Sequence, residues 1–212
     1  MKLAEACRGT PGETGRLNRE DDTLMWRPNL RRRVLSGIRS WKMTADRSSP
    51  AGHLLVVMSN PPTTSGARTL QRVEVAKVVL GYSTVAAVNL FSIPTYRTSG
   101  ISEVGKSLSG WLEARIPLTI VVDKADAVVL AYGCQEPSGA ARLHFRNQLD
   151  WLHSAIDASQ LPVWMIDGRP RHPSRWHRHT FAQHPELAFA EALPLVLRPT
   201  LGRSRHQLTD SH

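Results

Sequence analysis

Apolar positions fall in short separate blocks, and from Leu54 to Ile166 the blocks alternate between two periods. Nearly unbroken apolar runs cover Leu54–Ser59, Thr84–Phe91, Ala127–Tyr132 and Pro162–Ile166. Runs of this length, rich in β-branched residues and closed by turn residues, predict buried strands. Between them the period changes to that of a helix. Arg68–Leu80 carries Leu70, Val73, Ala76 and Leu80 on one face and ends at Gly81, a C-cap. Ser102–Arg115 places Val104, Leu108, Trp111 and Leu112 together, with Ser102 as N-cap and Pro117 as the stop. Ala140–Ala158 is the strongest helix, with Phe145, Leu149, Leu152 and Ile156 in register. A short helix is expected near Pro185–Leu193, and Arg169–Thr180 reads as a loop. For Leu118–Val122, strand and buried turn stay open.

Strands alternating with helices through short loops predict an α/β, three-layer fold. Its sheet is mainly parallel, four-stranded and doubly wound, with helices on both faces. The ends follow another pattern. Met1–Pro28 is rich in Gly, Arg, Glu and Asp, so residues 1–30 are expected to form a disordered arm. Arg31–Thr44 carries a hairpin signal around Ser36-Gly37. The domain is then expected over 31–197, followed by a disordered basic tail over 198–212.

Composition narrows the class. The 212 residues carry a net charge of +9 and a pI near 10.4, which points to an anionic partner, a nucleic acid or a nucleotide. An arginine-favouring codon composition would raise the pI in the same way. Cys7 and Cys134 make no disulfide framework, so a cytoplasmic location is expected. No apolar run reaches the roughly 18–20 residues of a bilayer span, so no membrane partner is expected. The chain is expected to be a monomer and to need no cofactor and no metal.

Right-handed crossovers would bring four loops to one rim, those after Ser59, Phe91, Tyr132 and Ile166. In open α/β sheets ligands bind at that rim. Its signatures are Asn60-Pro61-Pro62-Thr63, Val88-Asn89-Leu90-Phe91, Ala131-Tyr132-Gly133, and Asp167-Gly168-Arg169-Pro170-Arg171-His172-Pro173. In these motifs and their order, over roughly Arg31–Leu187, the chain resembles the family catalogued as domain of unknown function 1643. It departs from the family at Tyr132, where Trp is usual, and at Ser174, where Leu is found. That resemblance implies no reaction.

The rim also resembles that of the uracil-DNA glycosylase superfamily. The resemblance implies Asn60, at the head of its Asn-Pro motif, as the residue positioning the attacking water, and Asn89 as the reader of a base edge. Tyr132-Gly133 corresponds to the aromatic-Gly pair. His172-Pro173-Ser174 corresponds to the late loop that stabilises the departing base. A Gly before the first motif and a stacking aromatic in its turn are missing.

The chemistry can be argued directly. Hydrolysis of an N-glycosidic bond needs a held water and a donor for the leaving base. The amide of Asn60 orients water but is a poor base, which suits a dissociative, electrostatically assisted reaction. Asn89 offers both amide groups to a base edge, and His172 can donate to a developing anion. Arg169, Arg171, Arg175 and Arg178 are placed to hold phosphates, and Trp176 to stack a base. Pro61, Thr63, Tyr132, Gly133, Pro173 and Ser174 complete the substrate-binding set, with Asn60 and His172 as the catalytic pair. In duplex, the target base would have to be flipped out. Each residue also has a plainer role: Asn60 as an Asx turn, Asn89 as a turn cap, His172 as loop chemistry.

Three other signals compete. Gly100–Ser107 spells GxxxxGKS, a P-loop string, which requires a strand running straight into Gly100 and a helix starting at Lys106. Cys134 on the rim, with His144 or His172, suggests a thiol nucleophile. His172, His177, His179 and His184 suggest a metal, although their basic setting disfavours a cation. A non-catalytic nucleic-acid-binding module on the same fold is the remaining alternative.

Overall fold

The computed structural model describes residues 51–96 and 100–200. The expected arm, the hairpin at Arg31–Thr44 and the tail beyond residue 200 lie outside the described residues. The first strand and helix are β1 (His53–Met58) and α1 (Ala67–Leu80), followed by β2 (Thr84–Asn89). Then come α2 (Ile101–Val104), α3 (Ser109–Val122) and β3 (Ala127–Leu130). The chain continues through α4 (Ala140–Ala158), β4 (Val163–Ile166), α5 (Pro173–Gln183), α6 (Phe189–Val196) and β5 (Leu197–Thr200). The sheet order is β2-β1-β3-β4-β5, with the first four strands parallel and β5 antiparallel to β4. The expected three-layer α/β architecture holds, and the fourth strand gains a fifth neighbour. Arg198–Thr200, assigned by composition to the tail, belongs to that strand. Pro199 is tolerated there because β5 is an edge.

Alternation along the strands builds two cores. Leu55, Val57, Val128 and Leu130 pack under α3 and α4 with Trp111, Leu118, Phe145 and Leu152. Leu54, Val56, Met58 and Val129 pack on the other face with Val73 and Ala76 of α1, Trp176 of α5 and Leu193 of α6. This is what a sheet covered on both faces requires of continuous apolar strands. Gly81 ends α1 as expected, in the left-handed region at φ 79°, with Tyr82 N donating to Lys77 O at 3.0 Å.

Three expectations fail for physical reasons. The helix expected over Ser102–Arg115 is two helices, broken where Gly105 donates to Ile101 O. A Cβ at Gly105 would lie 2.6 Å from Ile101 O and 3.0 Å from the Trp111 ring, so glycine lets the indole seat there. Val104, Leu108 and Leu112 are exposed, and only Trp111 of the expected face is buried. Pro117 does not end the helix. It lies inside α3, which absorbs Leu118–Val122 as well. Burying Leu118 and Val122, at about 1.5–3 kcal/mol each, offsets the roughly 3 kcal/mol of an interior proline. Finally, most of the loop expected over Arg169–Thr180 is α5. His172 is its N-cap and Pro173 its first residue.

Candidate functional site

All four parallel strands end at one rim, and the direction of winding changes there between β1 and β3. Such a switch point opens a crevice beyond the carboxyl ends of the two central strands. β1 runs into Asn60-Pro61, and β3 runs into Tyr132-Gly133. On the outer side, Leu90 N donates to Met58 O and Phe91 N to Ser59 O, extending the β1–β2 pairing past Asn89.

The Asn60 amide nitrogen donates to Thr95 Oγ1 at 2.8 Å, tying the β1 turn to the loop after β2. It also reaches Pro61 O at 3.1 Å and Thr95 O at 3.3 Å. This bonding fixes which way the amide faces, and no described residue donates to its oxygen. Pro61 is half-buried, while Thr63 is exposed.

Asn89 ends β2. Period two puts it on the face of Val85 and Ala87, which pack toward the α1 layer. Its side-chain oxygen is buried and has no hydrogen-bond partner among the described residues. An orphaned acceptor of this kind costs about 1–3 kcal/mol. A water, a ligand or another donor reaching this oxygen would remove that cost.

The loops after β3 and β4 are joined, because Gly133 N donates to Pro170 O. Between them lies a cleft of about 330 Å³, lined by Tyr132, Gly133, Phe145, Leu149, Arg169 and Pro170 among others. Tyr132 packs edge-on against Phe145, centroids 6.1 Å apart, so the floor is aromatic. The turn leading to Arg169 is tight. Asp167 and Gly168 both take positive φ, 46° and 67°, and Arg169 N donates back to Ile166 O at 3.0 Å. Asp-Gly is the pair suited to that geometry.

His172 heads α5. Its Nδ1 accepts from Ser174 N at 3.2 Å and lies 2.9 Å from Ser174 Oγ. Accepting at Nδ1 leaves the proton on Nε2, so the imidazole presents one N–H donor. Burial, then the charges of Arg175 and Arg72, lower its pKa to about 4, so the ring is neutral at pH 7. Arg171 Nε is buried without a partner among the described residues. Pro173 is buried and Ser174 exposed. Trp176 stacks no base. It is fully buried, and its Nε1 donates to Arg171 O at 2.6 Å, pinning the loop that carries His172.

The rim therefore brings Tyr132, Gly133 and Arg169 into one cleft and ties Asn60 to the β2 loop. It sets His172, Pro173 and Ser174 in one cap, with Asn89 at the outer strand. Sequence reading missed Arg72, half-buried on α1, whose Nη1 donates to Pro173 O at 3.0 Å. It also missed Gln148, fully buried on α4. Its Nε2 donates to Leu90 O and Trp111 O, both at 3.1 Å, and its Oε1 accepts from Arg115 Nε at 2.9 Å. Gln148 fixes the backbone next to Asn89. The signal available for it was a polar residue on the Phe145–Leu152 face.

The competing signals gain no support from the described residues. Glycines Gly100 and Gly105 bracket α2, so the P-loop string is helical where a phosphate cradle needs open backbone. Lys106 is exposed and pairs with Glu103 at 2.7 Å. Cys134 is exposed, and no described histidine is bonded to it. The histidines are used separately: His179 Nε2 meets Asp167 at 2.6 Å, and His177 stacks on Phe189. Among the described residues, no three His, Cys, Asp or Glu side chains gather as metal ligands. No described helix is long and apolar enough to cross a membrane.

No curated protein and no solved structure matches the chain significantly. A family model does match, over residues 38–174, from before β1 to the first turn of α5, a span that includes every rim loop. The chain belongs to the family described as Protein of unknown function (DUF1643).

Proposed function

We propose that the rim is a nucleobase-recognition site that acts on nucleic acid as an N-glycosidic hydrolase of the uracil-DNA glycosylase type. The observation that carries this reading is the buried, unpartnered oxygen of Asn89 at the end of β2. It asks for a donor such as the N–H of a base edge. Neutral His172 supplies the complementary half. A neutral ring that accepts at Nδ1 keeps its proton on Nε2, a donor suited to the charge that develops on a departing base. The free oxygen of Asn60, its nitrogen held by Thr95, is suited to accept from a water. From the end of β2 to the end of β4 is three strand spacings, about 14 Å. That span is too long for a lone base and suits a nucleotide within a strand.

The structural ties of the Asn60 nitrogen favour one rival, a binding module in which Asn60 only shapes the turn. One experiment separates the two. Oligonucleotides carrying uracil, hypoxanthine or oxidised pyrimidines, single- and double-stranded, are incubated with the protein and then cleaved at abasic sites. Product that disappears with Asn60→Ala establishes the hydrolase and names its base. Salt-sensitive binding without product leaves the binding module, and neither product nor binding removes nucleic acid as the partner.

A further inference from the structure

Positive charge on the α1–α5 side of the rim is gathered without a counter-charge among the described residues. Arg68 and Arg72 lie one turn apart on α1, and Arg175 lies in the first turn of α5. The two helices are locked at that place by the bond from Arg72 to Pro173 O. That bond uses one of Arg72's five N–H donors, and no described residue accepts from the other four. Arg68, Arg72, Arg171 and Arg175 form no ion pair among the described residues. Burial, then the charge of Arg68, lowers the Arg72 pKa, and at His172 the charges of Arg175 and Arg72 add to the effect of burial. No carboxylate contributes to either balance.

The placement of these arginines runs against the helix dipole. Neither α1 nor α5 has an acidic residue in its first turn, where the helix dipole favours negative charge. Both carry arginines there instead, one turn from another like charge. Other arginines are neutralised: Arg146 meets Glu136 at 2.8 Å, and Arg142 meets it at 3.7 Å. The same chain thus pairs its arginines on α4 and leaves them unpaired at the α1–α5 junction. Arg171 Nε, in the loop that leads into α5, is buried with no partner among the described residues.

We propose that Arg68, Arg72 and Arg175 form a subsite for a phosphate group of the substrate, beside the base-reading part of the rim. The subsite rests on the nucleobase reading and extends it, because it makes the ligand a phosphorylated one rather than a free base or nucleoside. The two possible sources are a phosphodiester within a strand and the monoester of a free nucleotide.

The test uses the full chain and two probes, a short labelled single-stranded oligodeoxynucleotide and thymidine monophosphate, titrated over a range of salt. The variants are the double substitution Arg68→Ala with Arg175→Ala, then Asn89→Ala, and Lys124→Ala as a charge control at the opposite end of the sheet. Both substituted arginines are exposed, and the dipole argument predicts a melting temperature equal to or above that of the wild type. The double variant is expected to weaken oligonucleotide binding about tenfold for each arginine. Its salt slope should fall by about 0.7 for each phosphate it no longer neutralises, while Lys124→Ala changes neither. Loss for the oligonucleotide alone identifies a diester, and loss for both probes identifies a terminal phosphate. Wild-type binding by the double variant, with Asn89→Ala still weakened, overturns the subsite and leaves the base site standing. A wild type that binds neither probe overturns both.

Discussion

Two amide side chains flank the carboxyl end of β2, and they have opposite fates. Gln148 reaches it from the α4 side and satisfies everything it meets: two carbonyls accept from its nitrogen, and its oxygen takes an arginine N–H. Asn89 lies on the α1 side with its oxygen buried and orphaned. The same asymmetry extends to the charges. Arg115 on the α3–α4 side is bonded to Gln148 and stacks on Trp151 at 4.9 Å, whereas the arginines of α1 and α5 form no ion pair among the described residues. A closed network holds a fold, and an open one waits for a ligand. Among the described residues, the polar groups of one face are satisfied by the chain itself and those of the other are not.

The largest effect should come from breaking the closed side. Gln148→Leu strands two buried carbonyls and a guanidinium, and unfolding in urea should show a loss of roughly 4 kcal/mol. Asn89→Ala removes an acceptor that has no partner among the described residues together with its cost, so the same measurement should show no loss and a gain of up to about 1–3 kcal/mol. If the two variants lose stability equally, the contrast between the faces fails.

Proton linkage sharpens the contrast next. In the folded chain His172 has its pKa lowered to about 4, while an unfolded histidine titrates near 6.5. Between those values the unfolded chain binds the extra proton, so stability rises with pH across the window and is lost as pH falls through it. The loss between pH 6.5 and 4 should approach roughly 3 kcal/mol. His172→Asn keeps an N-cap but cannot titrate. In that variant the part of the slope due to this group should vanish from thermal unfolding measured over that range. An unchanged slope would mean that the ring is not held neutral.

How much of this was legible depended on which force decided each element. The central strands and α4 were legible because their apolar periodicity is dictated by burial alone. Pro117 and the split at Gly105 were not, because tertiary packing of Leu118, Val122 and Trp111 overrode local preference. α5 was hidden by its charge. Its buried positions are few, Pro173, Trp176 and Thr180, and the arginines and histidines between them read as loop. The sequence did hold a usable sign, His172 followed by Pro173, an N-cap and first-turn pair. At the rim, Asn60, Asn89 and His172 were visible as strand-ending motifs. Arg72 and Gln148 were not, since each matters through a partner remote in the sequence.

The smallest effect tests whether the open side is held as carefully as the closed one. Trp176 is buried in the core on the α1–α5 face and spends its one polar atom on the carbonyl of Arg171, the residue before His172. Trp176→Phe keeps most of the ring's packing but removes that bond and part of the core side chain, so stability should fall by about 2 kcal/mol. The loop that carries Arg171 and His172 would then lose its anchor while α5 remains. If the rim depends on that anchor, the variant loses far more oligonucleotide affinity or turnover than its small loss of stability accounts for. Hydrogen exchange at Arg171 and Ser174 should rise in parallel. If affinity and exchange change no more than stability does, the cap of α5 alone holds His172, and the indole serves only the core.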